Sequence, residues 1–194
     1  MLSILNLIRW KNLLMLALMQ LLIKYALLEP FGVQTSLDGL GITLLILATI
    51  CIAAAGNIIN DISDVETDLI NKPNRVLINK SISEKTAYNL FIILNVVGVG
   101  IGFYLSHRVG RAPIFSLFVI ISVLLYIYAT YLKRTLLIGN IIISALVALS
   151  LIIVGVFELI PVMTAANQQT QTLFFKVIFD YFYTRFWILR QKFY

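Results

Sequence analysis

Long apolar runs with almost no charge, separated by short polar links, constrain this chain more than any other feature. The runs fall near residues 12–28, 39–60, 84–105, 112–131 and 136–157. About 20 helical residues at ~1.5 Å each cover the ~30 Å hydrocarbon core of a bilayer. Inside that core every backbone N–H and C=O must be bonded within the protein, so uninterrupted runs of this kind become helices. Composition agrees: 60% of the 194 residues are hydrophobic and 12% charged, against about 25% charged in a typical soluble domain. The predicted fold class is all-α, a multi-span transmembrane helical bundle of about six spans.

The first run has the length of a signal-peptide core. However, no small-residue cleavage site follows it and Lys24 interrupts it, so a retained helix is predicted. Glu29-Pro30-Phe31-Gly32 ends it. The Ser81-Ile-Ser-Glu84 spacing predicts a capping box opening the third span, and Gly98 and Gly102 form a small-xxx-small pair suited to close helix packing. Leu173–Tyr194 is the candidate sixth span, although it holds Lys176, Asp180 and Arg185 and is rich in aromatics. The predicted division is therefore 1–157 as one helical domain and 158–194 as a polar link with an atypical tail. The lone cysteine, Cys51, excludes an intramolecular disulfide.

The net charge of +6 is not a nucleic-acid signature, because the basic residues stand singly between apolar runs. Topology accounts for them. With six spans, eleven Lys and Arg residues fall on one side, from Arg9 and Lys11 to Lys192, and four on the other: Lys24, Arg108, Arg111 and Lys176. The positive-inside rule then places both termini in the cytoplasm.

On the same side, closing the second span, lies a stretch with four of the nine acidic residues. At about 100° per residue, Asn57, Asn60, Asp61, Asp64 and Asp68 share roughly a quarter of one helix surface, with Glu66 opposite. Three lipid-facing carboxylates would cost up to ~10 kcal/mol on insertion scales; gathered on one face they favour a bound cation. The plainer alternative is a solvated helix end. Oxygen-only ligands without Cys or His suit Mg2+, which is usually held by one or two carboxylates plus substrate phosphates. Lys72 and Arg75 follow the acidic stretch, and Lys133 and Arg134 lie on the same membrane side. Together with an apolar bundle, these residues imply a lipid diphosphate as substrate, although Lys133 and Arg134 also read as simple topology determinants.

The pattern from Asn60-Asp61 through Asp64, Asp68, Asn71-Lys72-Pro73 and Arg75 resembles the first aspartate-rich motif of the UbiA family of intramembrane prenyltransferases. Lys133-Arg134 and Gly139-Asn140 are similar to its second cytoplasmic loop, and Arg9-Trp10-Lys11-Asn12 to its first helix. The resemblance, over about residues 1–157, implies a Mg2+-dependent enzyme that ionises a prenyl diphosphate and passes the prenyl group to a lipid or aromatic acceptor. It implies metal ligation by Asn60, Asp64 and Asp68 with support from Asp61, and catalytic roles for Asp64 and Asp68. Lys72, Arg75, Lys133 and Arg134 would bind the diphosphate. Tyr128 or Tyr131 would face the allyl cation, unless both are interfacial belt tyrosines.

The loop motifs are most similar to the geranylgeranylglycerol-phosphate branch, with 4-hydroxybenzoate and menaquinone types as alternatives. The family carries about nine helices and a second aspartate motif. Here the only acidic residues after Glu84 are Glu158 and Asp180. The expectation is a C-terminally truncated prenyltransferase, with loss of activity through the truncation, or a non-enzymatic membrane remnant or scaffold, as the alternatives.

Overall fold

A computed structural model describes residues 2–73 and 76–191, with the side chains of Leu2, of Arg134, of 136–138 and of 181–191 outside the description. Among the described residues eight α-helices follow one another: α1 (Leu2–Leu7), α2 (Trp10–Leu22), α3 (Gly39–Ser63), α4 (Val65–Asn71), α5 (Glu84–Arg108), α6 (Phe115–Thr130), α7 (Leu136–Leu159) and α8 (Gln168–Gln191). No strand occurs among the described residues; Ile78 and Ile82 form an isolated bridge.

Five helical segments among the described residues are long and apolar enough to cross a membrane: Trp10–Phe31, Gly39–Ser63, Glu84–Arg108, Ala112–Thr130 and Gly139–Leu159. The chain is therefore an integral membrane protein. The candidate sixth span forms a helix, α8, which packs on α7 where Gly155 approaches Ile178 and Phe175, but it is not among the five. Its charged and amide side chains dilute its apolar content below that of a span.

The first span changes geometry partway. α2 continues as a π-helical segment, Ile23–Leu28, and a 3-10 turn, Glu29–Phe31. The π segment carries the buried Lys24, and π segments favour such sites because they rotate a side chain out of the regular register.

α3 is the central helix: 61% of its apolar window is buried, against 11% for Ala112–Thr130. Asp38 caps it, its Oδ1 accepting from the Gly41 N–H at 2.8 Å, while its Oδ2 accepts from Arg108 at the end of α5. These bonds fix α3 and α5 antiparallel. The small-residue pair behaves as its spacing predicts. A Cβ on Gly98 would lie 2.7 Å from Ile52 and 3.0 Å from the Ala48 carbonyl, and one on Gly102 would strike the Phe118 ring. Here α3 and α5 meet at backbone distance, and the Phe118 ring of α6 lies on the α5 backbone.

One expectation moves by two residues. The cap of α5 is Ser83, whose Oγ accepts from Thr86 N–H at 3.1 Å, and not Ser81. Ser81 is taken up by the preceding turn, where its N–H bonds the Leu77 carbonyl and Asn79 adopts a φ of 63°.

Candidate active site

The acidic stretch does not lie on one unbroken helix. α3 stops at Ser63, and Asp64 (φ −98°, ψ −4°) joins it to α4. The i to i+4 ladder nevertheless runs through the joint: Asp64 N–H bonds Asn60 O, Asp68 N–H bonds Asp64 O, and Lys72 N–H bonds Asp68 O, at 3.1, 2.8 and 2.8 Å. Asn60, Asp64 and Asp68 thus stay stacked on one side of the chain.

Cations from other elements meet this face. Lys133, in the 3-10 turn Leu132–Arg134 between α6 and α7, donates to Asn60 Oδ1 at 3.0 Å and forms an ion pair with Asp64. Arg9 donates to Asp61 Oδ1 at 2.7 Å. Arg9 holds a left-handed φ of 56° between α1 and α2, an uncommon conformation for a residue with a Cβ. The fold supports it: Asn57 Nδ2 bonds the Ile8 carbonyl at 2.9 Å. Burial, followed by the positive charge of Arg9, pushes the Lys133 ammonium below the ordinary lysine value of 10.5, against the opposing pull of Asp61. Gly139 seats the turn that carries Lys133, since a Cβ there would lie 2.8 Å from the Leu132 carbonyl.

Behind these residues a cavity of about 490 Å³ runs between α2, α3, α6 and α7. Its mouth is polar, with Arg9, Asn12, Asn57, Asn60, Tyr128 and Lys133. Its body is apolar, including Leu16, Ile52, Leu125 and Leu146. Met15 and Val147 also line it, yet are 60% and 57% exposed, so one flank faces the hydrocarbon of the bilayer.

The expected site residues divide accordingly. Asn60 and Lys133 line the cavity mouth, and Asp64 is joined to both. Asp61 stands beside them on Arg9, and the half-buried Asp68 lies near enough for its charge to oppose that of Asp61. Lys72 is exposed at the end of α4. Arg75 and the Arg134 side chain lie outside the described residues. Of the two tyrosines, Tyr128 lines the cavity, whereas Tyr131 is 72% exposed and faces away. Tyr131 follows the last residue of α6, and with φ −123° and ψ −52° it has left the helical register that Tyr128 keeps.

Among the described residues no three acidic, His or Cys side chains gather closely enough to hold a metal; Asp61 and Asp64 are neutralised by Arg9 and Lys133 instead. The donor set still fits a hard cation. Asn60 Oδ1 and Asp64 Oδ2 already converge on one positive charge, the Lys133 ammonium, and every ligand atom is oxygen.

Sequence reasoning missed two features. One is Arg9 as the partner of Asp61. The other, at the far end of the bundle, is the pair of Lys24 (2% exposed) and Glu158 (0% exposed), joined at 2.8 Å.

A family model described as the UbiA prenyltransferase family matches residues 13–191, which carries the likeness through α8. Digeranylgeranylglyceryl phosphate synthase of Methanobrevibacter smithii is 36% identical over 114 residues, 59% of this chain and 40% of that protein. The enzyme of the same name from Metallosphaera sedula is 42% identical over 112 residues, 56% of this chain and 38% of that protein. A solved structure described as digeranylgeranylglyceryl phosphate synthase in membranes superposes with a TM-score of 0.67 at 27% identity, covering 91% of this chain and 57% of that one. The chain thus spans about 40% of the length of the curated relatives it matches.

Proposed function

Because this chain belongs to the UbiA prenyltransferase family, we propose that its cavity holds a prenyl diphosphate for transfer of the prenyl group to an isoprenoid glycerophosphate acceptor. The observation that carries this reading is the cavity itself, about 490 Å³ in all, with a polar, cation-lined mouth and an apolar body. An apolar cavity of ~150 Å³ binds benzene; by that measure the whole cavity takes on the order of three six-carbon units, close to a geranylgeranyl chain. The names of the relatives favour a glycerophosphate lipid over an aromatic acceptor.

In this arrangement the diphosphate sits at the mouth and the hydrocarbon lies between α2, α3, α6 and α7. Lys133 and Arg9 donate to phosphate oxygens, and charge-assisted bonds of this kind are about twice as strong as neutral ones. Asn60, Asp64 and Asp68, with Asp61 in support, would hold Mg2+, which when bound neutralises charge developing on the leaving diphosphate. Lys133 exchanges its bonds to Asn60 and Asp64 for the substrate, leaving their oxygens to the cation. Lys72, with Arg75 and Arg134, supplies further positive charge at the same face. Tyr128 presents its ring where the allylic carbon gains positive charge. The apolar walls exclude water and so protect that cation from hydrolysis. The basic residues of this face favour a mouth on the cytoplasmic side, by the positive-inside rule.

The test is incubation of the purified chain with labelled geranylgeranyl diphosphate and geranylgeranylglyceryl phosphate, with and without Mg2+. The expected result is Mg2+-dependent release of diphosphate with label appearing in the lipid. Equal labelling without Mg2+, or transfer only to an aromatic acceptor, contradicts the reading.

A further inference from the structure

The oxygens suited to a metal ion are already held by a cation of the chain itself. The Lys133 ammonium donates to Asn60 Oδ1 at 3.0 Å and pairs with Asp64 Oδ2, while Asn60 Nδ2 donates to that same Asp64 oxygen at 3.4 Å. The three side chains close a ring in which both ends of the Asn60 amide are engaged. Two of its members are fixed relative to each other: Asn60 and Asp64 sit one turn apart, and the Asp64 N–H bonds the Asn60 carbonyl at 3.1 Å. Lys133 arrives from the 3-10 turn Leu132–Arg134 on a flexible four-carbon stem, and it also lines the cavity mouth. Its ammonium can therefore swing toward the mouth while the backbone stays in place. Arg9 differs, because it bonds Asp61 and leaves the Asn60 and Asp64 oxygens to Lys133. The Lys133 and Asp64 side chains are only 30% and 22% exposed, so water screens their charges incompletely.

The geometry points to Lys133 as a built-in competitor for the metal, released from Asn60 and Asp64 when a diphosphate takes its ammonium, so that metal and diphosphate each strengthen the binding of the other. The inference rests on the mouth binding the diphosphate. An ammonium and a divalent cation repel strongly at the separation that two shared oxygens impose, so the site holds one or the other. A diphosphate that draws Lys133 away removes the competitor, and a metal that displaces Lys133 frees its ammonium for phosphate. Two ligands coupled in this way change each other's affinity by the same factor, in addition to any bond that forms between metal and phosphate directly. Arg9 and Asp61 have no part in the exchange.

The test titrates Mn2+, an EPR-visible stand-in for Mg2+, into the full detergent-purified chain with and without non-hydrolysable geranylgeranyl thiolodiphosphate. A protein-free blank accounts for metal held by the thiolodiphosphate alone, and thermal melts serve as the folding control. Without thiolodiphosphate, Lys133→Met is expected to bind Mn2+ about tenfold tighter than the wild type, within the usual range of such couplings. Lys11→Met removes an exposed positive charge at the start of α2 and should stay within about twofold of the wild type, as screening predicts. With thiolodiphosphate, the gain in Mn2+ affinity should be about tenfold smaller in Lys133→Met than in the wild type. A second readout needs no variant and decides if Lys133→Met does not fold: saturating Mg2+ should raise the acetylation of Lys133 by acetic anhydride, read by peptide mass spectrometry. Equal Mn2+ affinity in the wild type and folded Lys133→Met, an equal gain in Lys11→Met, or unchanged acetylation overturns the competition; binding of thiolodiphosphate then leaves the site reading standing. Thiolodiphosphate that binds neither with nor without metal overturns both.

Discussion

Replacing Lys24 by Met, or Glu158 by Leu, is expected to destabilise the protein by about 3–5 kcal/mol, because each change strands a buried charge. The geometry explains the size of the effect. The Lys24 ammonium donates to Glu158 Oε1 at 2.8 Å and to the Leu37 carbonyl at 2.6 Å, and Glu158 Oε2 accepts from the Leu37 N–H at 3.0 Å. The Glu158 carbonyl takes the Ser36 N–H. One pair therefore fastens the π segment, the link before α3 and the end of α7. Glu29 lies 3.9 Å from the ammonium but is 46% exposed, too solvated to replace Glu158. The double variant should recover a large part of the loss, since neither charge remains. It should not recover all of it, because Leu37 keeps an unmatched N–H and C=O at about 1–3 kcal/mol each. Thermal unfolding in detergent checks this: the single variants should melt on the order of 10 °C lower, and the double variant between them and the wild type. Additive losses in the double variant would show that the two residues act separately.

Lys133→Met is expected to weaken prenyl diphosphate binding by about 10–100-fold, the range of a charge-assisted hydrogen bond worth ~1.5–3 kcal/mol. Lys133 is the cation that reaches both the cavity mouth and Asp64, so its role separates into two readouts. A topology determinant or a structural partner of Asp64 would lower the melting temperature and leave affinity unchanged. A diphosphate ligand would lower affinity at constant fold. The pH profile adds a second criterion. The free protein holds the Lys133 proton less tightly than an ordinary lysine, whose value is 10.5, and only the protonated form attracts the anion. Affinity should therefore fall as pH rises, beginning below 10.5, and Lys133→Met should lose that alkaline limb. Isothermal titration across alkaline pH reads both; an unchanged limb in the variant would assign it to another group.

The five spans were legible in the sequence because length and apolar content fix a membrane helix almost independently of its neighbours. Their observed ends differ from the expected ones by a few residues, where capping and packing decide. The convergence of Asn60, Asp64 and Lys133 was legible in part. The i to i+4 spacing placed the first two together, and topology placed Lys133 on their membrane side, but only the fold shows it bonded to both. Lys24 and Glu158 looked like an interruption and a link residue, since no local pattern joins positions 134 apart. Tyr128 and Tyr131 were indistinguishable until α6 was seen to end between them, at Thr130. α8 was the hardest to read, because aromatics and charges mixed at that density fit neither a span nor a surface helix.

The most direct measurement of where the hydrocarbon lies is photo-crosslinking with geranylgeranyl diphosphate carrying a diazirine at the end of its chain, mapped by mass spectrometry. Label is expected on the cavity's inner end, at Met19, Thr49, Phe118 or Leu151, and is expected to disappear with excess unlabelled diphosphate. Label confined to the outward residues of α5, such as Ile92, Ile93 and Val96, which are 54–67% exposed, would place the chain in the bilayer and contradict a tail bound within the bundle.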